Sequence, residues 1–138
     1  RINDGMGHYV ASQMVKAMLH KCLQVKGSRV LVMGLAFKEN CPDIRNTRVV
    51  DVINELKEYQ VEVDVFDPWV DAEDSRIEYG IDPITGPEQG SYDGIIIAVA
   101  HRQFREMGED TIRALGKDCC VVYDLKYVCR DGRVDLRL

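Results

Sequence analysis

The chain has 138 residues, of which 46% are hydrophobic and 30% charged, and it carries a formal net charge of −5. This length fits one domain with its own core, and the hydrophobic fraction is too high for a disordered chain. The acidic balance argues against a nucleic-acid partner, and the lack of an 18-residue apolar run or a secretion signal argues against a membrane or secreted protein.

Five cysteines show no CxxC pair and no zinc-ligand spacing with histidine. We therefore expect reduced thiols in a cytoplasmic protein and no metal site. Cys119 and Cys120 are adjacent in an apolar run, which predicts side chains on opposite faces of a sheet. Cys41 precedes Pro42-Asp43 with no histidine nearby in the sequence, so we interpret it as structural or incidental rather than as a nucleophile.

Residues 1–25 are predicted to form a long helix, because apolar side chains recur at helical spacing from Ala11 to Cys22. The apolar stripe is wide, which indicates burial against more than one neighbour. Two interpretations are open: an ordinary core helix, or a connecting and dimerisation helix that precedes a domain at 26–138. The chain begins at Arg1 with helix-like sequence, which favours a piece of a longer protein.

Two strands flank a loop and a helix in the first half of the domain. The predicted segments are a strand at Arg29–Met33, a loop at Gly34–Asp43, an amphipathic helix at Thr47–Tyr59 and a strand at Val61–Phe66. The second strand stops at Asp67-Pro68, because proline cannot continue a ladder. We interpret Asp67 as a turn former.

The second half begins with an acidic and irregular stretch at 69–92. We expect a helical turn near 71–76 and a short extended piece near Ile81 within it. The remaining segments are a central strand at Gly94–Ala100, one or two short helices in 103–115, a strand at Cys119–Tyr123, and a tail with a strand pair or a turn at Asp131-Gly132.

Strands alternating with helices predict an α/β fold, a Rossmann-like three-layer sandwich with a mainly parallel sheet, preceded by the long connecting helix. Right-handed crossovers place the 29–33 strand beside the 94–100 strand, with 61–66 outside the first and 119–123 outside the second. Ligands bind such sheets beyond the carboxyl ends of the strands, where the strand order switches. The residues that follow the two central strands are therefore the candidate site.

The loop after the first strand reads GLAFK and lacks the GxGxxG fingerprint of a dinucleotide site. Lys38 and Arg45 lie close to the start of the next helix, where cations and a helix N-terminus suit phosphate. Phe37 in this polar loop either stacks on a base or packs down as an anchor. His101 directly follows the central strand and either contacts a ligand or caps the strand end, and we favour the cap.

The stretch from Gly34 to Thr47, GLAFKENCPDIRNT, resembles the G-x-A-F-K and D-x-R-x-S/T signature of nucleotide-sugar 6-dehydrogenases, the UDP-glucose/GDP-mannose dehydrogenase family, in their C-terminal domain. The segments 63–68 and 95–101 resemble its strands that end in Asp-Pro and in histidine. The resemblance covers essentially the whole chain. Its details look most like the branch that acts on UDP-N-acetylhexosamines for capsule or O-antigen sugars.

This resemblance implies an oxidoreductase that converts a UDP-N-acetylhexosamine or UDP-glucose to its uronic acid by two hydride transfers to NAD. The family's catalytic cysteine and NAD loop lie in an N-terminal domain, so this chain alone is expected to be inactive. By position in the signature, Phe37 and Lys38 contact the UDP-sugar and Arg45 reaches NAD across the domain cleft. Lys126 stands where the family often has a substrate-contacting arginine, although lysine lacks a bidentate phosphate grip.

The partners implied are a UDP-sugar, the N-terminal NAD-binding domain and a second copy in a homodimer. The alternative function is a stand-alone Rossmann-like nucleotide-binding regulatory module without catalysis. A third hypothesis, a cysteine-based redox or metal protein, is disfavoured by the cysteine spacing. The coding sequence upstream of Arg1 would discriminate the first two, because only an enzyme needs a glycine-rich NAD loop and a nucleophilic cysteine there.

Overall fold

The computed structural model describes residues 5–130 and 134–138. Its elements, in chain order, are α1 (Met6–His20), β1 (Arg29–Met33), α2 (Val49–Glu58), β2 (Glu62–Phe66), α3 (Ala72–Tyr79), β3 (Tyr92–Ile97), α4 (Arg102–Arg113), β4 (Gly116–Asp124) and β5 (Leu136–Arg137). The five strands form one parallel sheet in the order β2-β1-β3-β4-β5. The predicted α/β fold and the predicted order of the four main strands are confirmed.

Each face of the sheet carries its own buried cluster, as three layers require. One face joins α1 and α2 to alternate strand residues such as Val30, Val32 and Ile96. The other face joins Phe104 and Ile112 of α4 to the intervening residues, including Leu31, Met33, Ile95 and Ile97. β3 lies in the middle and is buried on both faces, which explains its continuous apolar sequence.

The first helix is shorter than predicted, because within the described residues it runs only from Met6 to His20. Cys22 is exposed and has a φ of 59°, so it lies outside the helix rather than on its apolar stripe. One side of α1 is buried against α2 and the sheet. Gly7 permits this contact, since a Cβ there would lie 2.5 Å from the Cβ of Asp51.

The bounds of several further elements differ from the predictions, those of α2 and β2 by only one or two residues. The predicted turn near 71–76 is the two-turn helix α3, which Asp71 caps by accepting hydrogen bonds from the backbone N–H groups of Glu73 and Asp74. β3 ends at Ile97, and β4 begins earlier than predicted. The predicted one or two short helices in 103–115 are confirmed as α4, whose helical backbone is interrupted at Gly108 (φ 81°, ψ 161°). The predicted turn at Asp131-Gly132 lies outside the described residues.

Cys119 is exposed and Cys120 is buried, in agreement with the predicted alternation, and all five cysteines are free thiols. Burial raises the pKa of Cys120 to about 12 and that of Cys129 to about 11. These two thiols are therefore not activated nucleophiles. None of the helices in the described part of the chain has the length and apolarity needed to cross a bilayer.

Candidate functional site

A cavity of about 650 Å³ opens at the carboxyl ends of β1 and β3, at the predicted switch point. It is lined by Ala36, Phe37, Lys38, Glu39, Asn46, Thr47, Arg48, Val49, Ala98, Val99, Ala100 and Lys126. Three of the four residues predicted from the sequence, Phe37, Lys38 and Lys126, thus surround one space. The fourth, Arg45, is not among the lining residues.

The first residues of the loop that follows β1 are held by Asp67, which directly follows β2. One oxygen of the Asp67 carboxylate accepts the backbone N–H groups of Leu35 at 2.7 Å and Ala36 at 2.9 Å. The other oxygen accepts the N–H of Trp69 at 2.8 Å. Asp67 is buried, and its role is larger than the turn formation that we predicted.

His101 is fully buried beside Asp67. Its Nε2 lies 2.9 Å from the Asp67 oxygen that also accepts the N–H groups of Leu35 and Ala36. Its Nδ1 accepts the backbone N–H of Asn40 at 3.0 Å. Burial raises the pKa of Asp67, but the hydrogen bonds from His101, Leu35 and Ala36 outweigh it and hold this pKa below its ordinary value. His101 is not among the residues that line the cavity, and its side chain does more than cap the strand end, because it joins Asp67 to the loop that follows β1.

The middle of the same loop is also fixed by hydrogen bonds. The Phe37 N–H donates to the carbonyl of Asp43 at 2.7 Å. Asn40, whose φ is 53°, accepts the backbone N–H of Arg102 on its side-chain oxygen at 2.8 Å. Phe37 itself is 57% exposed, so it does not pack down as an anchor and keeps a free aromatic face beside the cavity.

Lys126 is placed by a second buried carboxylate, Asp124, at the end of β4. The Asp124 side chain accepts the backbone N–H groups of Lys126, Val128 and Cys129 at 3.1, 3.2 and 2.8 Å. This network folds the chain back sharply after the strand. Lys126, which follows β4, thus lines the cavity together with the loop that follows β1.

The N-terminus of α2 closes the cavity and contributes a cation that the sequence analysis missed. Thr47 and Val49 line the cavity, and the Thr47 hydroxyl accepts the Val49 N–H at 3.4 Å. Arg48 lies between them, and its guanidinium is 3.8 Å from the Asp51 carboxylate. The sequence carried a signal for Arg48, because it is a basic residue at a predicted helix start, where anions bind.

Arg45 lies outside the cavity and holds Asp43. Its guanidinium donates two hydrogen bonds of 3.1 Å to that carboxylate, and its side chain is 81% exposed. The side-chain hydrogen bond from Arg45 lowers the pKa of Asp43 and raises that of Arg45. The guanidinium is therefore available to a group that approaches from outside this chain.

A dinucleotide does not fit the usual Rossmann position in this domain. Gly34 has a φ of 106°, and a Cβ there would lie 2.6 Å from the Val99 side chain, so this glycine serves close packing rather than a ligand. The amides of Leu35 and Ala36, which follow β1, already bond to Asp67. The backbone groups that cradle a pyrophosphate in a GxGxxG loop are occupied here by a carboxylate.

Comparison with known families identifies a match along most of the chain. A family profile described as "UDP-glucose/GDP-mannose dehydrogenase family, UDP binding domain" matches residues 31–131. This range contains both strand-end carboxylates, the loop after β1 and Lys126. The matched domain is therefore the one that holds the cavity.

Individual relatives agree with the family match. The full chain is 62% identical to the UDP-N-acetyl-D-glucosamine 6-dehydrogenase of Pseudomonas aeruginosa and 56% identical to that of Salmonella typhi. It covers 33% and 32% of these proteins, so it spans about a third of the length of the curated relatives it matches. The structure of a UDP-D-ManNAc dehydrogenase from Pyrococcus horikoshii superposes with a TM-score of 0.77 at 20% identity, over 98% of this chain and 31% of that one, which shows a shared fold.

Proposed function

We propose that this chain, which belongs to the UDP-glucose/GDP-mannose dehydrogenase family, supplies the UDP-sugar-binding part of the active site of an NAD-dependent nucleotide-sugar 6-dehydrogenase. The complete enzyme would oxidise the C6 hydroxyl of the sugar to a carboxylate in two successive hydride transfers, for polysaccharide biosynthesis. The observation that carries the proposal is the cavity that gathers Phe37, Lys38 and Lys126. The chain alone would bind without catalysing.

The cavity offers the two surfaces that a uridine diphosphate needs. Lys38, Lys126 and Arg48 line it, and they would neutralise a pyrophosphate together with the N-terminus of α2. Phe37 presents an exposed aromatic ring, which would pack against the uracil or the sugar. The cavity volume lies in the ordinary range for a small-molecule site.

NAD, when bound, would accept the hydride, and we propose that the N-terminal domain holds it. The residues of this chain would bind and orient the UDP-sugar. Arg45 would reach the cofactor from outside the cavity, because its guanidinium is exposed and held only by Asp43. Cys41 does not line the cavity, so the nucleophilic cysteine would also come from the N-terminal domain.

The substrate we favour is a UDP-N-acetylhexosamine, and UDP-N-acetyl-D-glucosamine first, because the relatives at 62% and 56% identity carry that name. UDP-glucose is the second candidate. The proposal also includes a homodimer and a cytoplasmic location. Exposed Tyr9 and Leu19 on α1 are available for contact with the N-terminal domain or a second copy.

Calorimetric titration of the chain with UDP tests the proposal directly. We expect saturable UDP binding that is weakened about tenfold in Lys38→Ala, because the substitution removes a charge-assisted phosphate contact. Lys57→Ala serves as the matched control, because it removes an exposed lysine from the last turn of α2, at the end away from the cavity. This variant should bind UDP as tightly as the unaltered chain does. Equal affinity for UDP in the Lys38 and Lys57 variants would contradict the assignment of Lys38.

In the complete enzyme the same substitution should raise KM for the UDP-sugar with little change in kcat. The reason is that a phosphate contact remote from C6 is made equally in the ground and transition states. Initial-rate kinetics with UDP-N-acetyl-D-glucosamine and UDP-glucose would measure this effect and rank the two substrates. An unchanged KM would count against Lys38 as a substrate contact.

A further inference from the structure

Two buried side chains that do not line the cavity fix the loop that does. Asp67 bonds to the backbone of Leu35 and Ala36, and His101 bonds to the backbone of Asn40. Phe37 and Lys38 lie between these attachment points. The position of both side chains in the cavity therefore depends on two residues that lie 29 or more positions further along the chain.

The hydrogen bonds define the protonation state of His101. Its Nδ1 accepts the N–H of Asn40, so this nitrogen carries a lone pair and no proton. Its Nε2 must then carry the proton and donate it to the Asp67 carboxylate. The imidazole is neutral, and the Nε2–H tautomer is the one that joins the two attachment points of the loop.

The surroundings of the pair exclude water and alternative partners. The Trp69 ring stacks on the imidazole with centroids 6.2 Å apart, and the Phe104 ring packs edge-on at 5.4 Å. The side chains of His101 and Asp67 are both fully buried. In such a site, hydrogen bonds are strong and each lost partner leaves an unsatisfied polar group.

We propose that Asp67 and His101 are positioning residues for nucleotide-sugar binding, because together they hold the backbone on both sides of Phe37 and Lys38. This inference rests on the proposed function of the cavity. The pair makes the loop rigid before any ligand arrives. The conformational entropy of the loop is therefore lost during folding, and binding does not have to order it. Neither residue is among those that line the cavity.

The test compares UDP affinity with stability in matched variants of this chain. In His101→Phe the ring packing is retained while both hydrogen bonds are lost, and we expect about a tenfold loss of UDP affinity. His101→Gln keeps an N–H donor toward Asp67 and should recover part of that loss. Asp64→Asn is the control, because Asp64 lies on β2 three residues before Asp67 but bonds to Arg29 and Tyr92, away from the cavity.

Heteronuclear NMR of the unligated chain supplies a second readout that does not depend on binding. In the unaltered chain, the imidazole ¹⁵N signals should show a proton on Nε2 of His101. In His101→Phe the amide signals of Leu35, Ala36 and Asn40 should shift and exchange with solvent faster, whereas Asp64→Asn should leave them unchanged. Urea unfolding of all variants measures the accompanying loss of stability.

The outcomes separate this inference from the proposed function. If His101→Phe stays folded and binds UDP as tightly as the unaltered chain, the positioning role is overturned and UDP binding by the cavity stands. A proton found on Nδ1 of His101 would also overturn it. If the unaltered chain does not bind UDP while its tautomer and loop amides behave as expected, the proposed function fails, and the pair remains only as the attachment of the loop.

Discussion

The two ends of the parallel sheet both carry buried or half-buried charges, but they pair them differently. At the amino end, side chains neutralise one another: Asp64 bonds to Arg29 and the Tyr92 hydroxyl, and Lys117 lies 3.2 Å from Asp93. At the carboxyl end, Asp67 and Asp124 each accept three backbone N–H groups, and their side-chain partners are His101 and Arg137 rather than Lys38 or Lys126. Neither Lys38 nor Lys126 has a carboxylate at ion-pair distance among residues 5–130 and 134–138.

This difference explains how an acidic chain keeps a site for an anion. The oxygens of these two carboxylates are occupied by backbone N–H groups together with His101 or Arg137, so they do not pair with Lys38 or Lys126. Lys38 and Lys126 can therefore pair with an anionic ligand, while Asp67 and Asp124 fix the backbone of the loops that carry them. At the amino end the cations Arg29 and Lys117 are paired with Asp64 and Asp93, and Asp93 also accepts the Arg29 N–H at 2.9 Å, so these charges serve packing and stability.

The largest effect should come from Asp124→Asn at the carboxyl end. This substitution replaces a buried acceptor of three backbone N–H groups, which also lies 3.6 Å from Arg137, with an amide that must turn a donor toward them. We expect the free energy of unfolding to fall by about 2–4 kcal/mol. Urea unfolding measures this loss.

Asp82→Asn is the matched control for that experiment, since it breaks an exposed ion pair with Arg76. It should change the free energy of unfolding by less than about 1 kcal/mol. A loss in Asp124→Asn no larger than that in Asp82→Asn would contradict the structural role assigned to the buried carboxylate at the end of β4.

A smaller effect is expected at the amino end from Tyr92→Phe. Burial, and then the hydrogen bond to Asp64, raise the pKa of Tyr92 from 10.0 to about 12. The folded chain therefore holds the phenol proton more tightly than the unfolded chain, and this contribution is present below pH 10 and lost as the pH rises toward 12. Tyr92→Phe should cost about 1 kcal/mol at neutral pH and flatten the alkaline decline.

Urea unfolding between neutral and alkaline pH measures this slope. Tyr123, whose pKa burial also raises to about 12, lacks the bond to Asp64, so Tyr123→Phe is the comparison variant. UDP affinity should be unchanged in Tyr92→Phe, because the ring lies at the far end of the sheet from the cavity. A loss of UDP affinity in this variant would mean that the two ends are energetically coupled.

The smallest effect on this chain should come from Arg45→Ala. The guanidinium is exposed and its pair with Asp43 is solvated, so neither stability nor UDP affinity should change measurably. In the complete enzyme, the proposed contact with the cofactor predicts a raised KM for NAD with an unchanged KM for the UDP-sugar. A weakened UDP affinity in the isolated chain would place Arg45 in the cavity instead.

Much of the fold could be predicted because the strands have clear patterns. The run GIIIAVA indicated the central strand, and the alternation of strands and helices gave the sheet order. α3 was harder to predict, since its buried residue is Ser75 and no apolar stripe marks it. The better signal was at its ends, where Asp71 caps the first turn and Gly80 adopts a left-handed conformation.

The site was predictable where residues act through their own side chains. Phe37, Lys38 and Lys126 follow strand ends, and the topology brings strand ends together. Asp67 and His101 act on the backbone of distant residues, and no spacing in the sequence shows which amide a carboxylate will accept. An Asp-Pro pair is also a common turn. The buried role of Asp67 became visible only in the structure, where its carboxylate accepts the N–H groups of Leu35 and Ala36.

One edge of the sheet bears on how copies of this chain can meet. β2 is an outer strand, and two of its five residues, Glu62 and Asp64, are acidic. Part of this edge is covered, because the Ile84 N–H donates to the Val65 carbonyl at 2.8 Å, and Asp64 is paired with Arg29 while Glu62 is exposed. A partly covered edge with an exposed charge opposes the growth of a continuous sheet between molecules, so we expect copies of this chain to meet through helices rather than strand to strand.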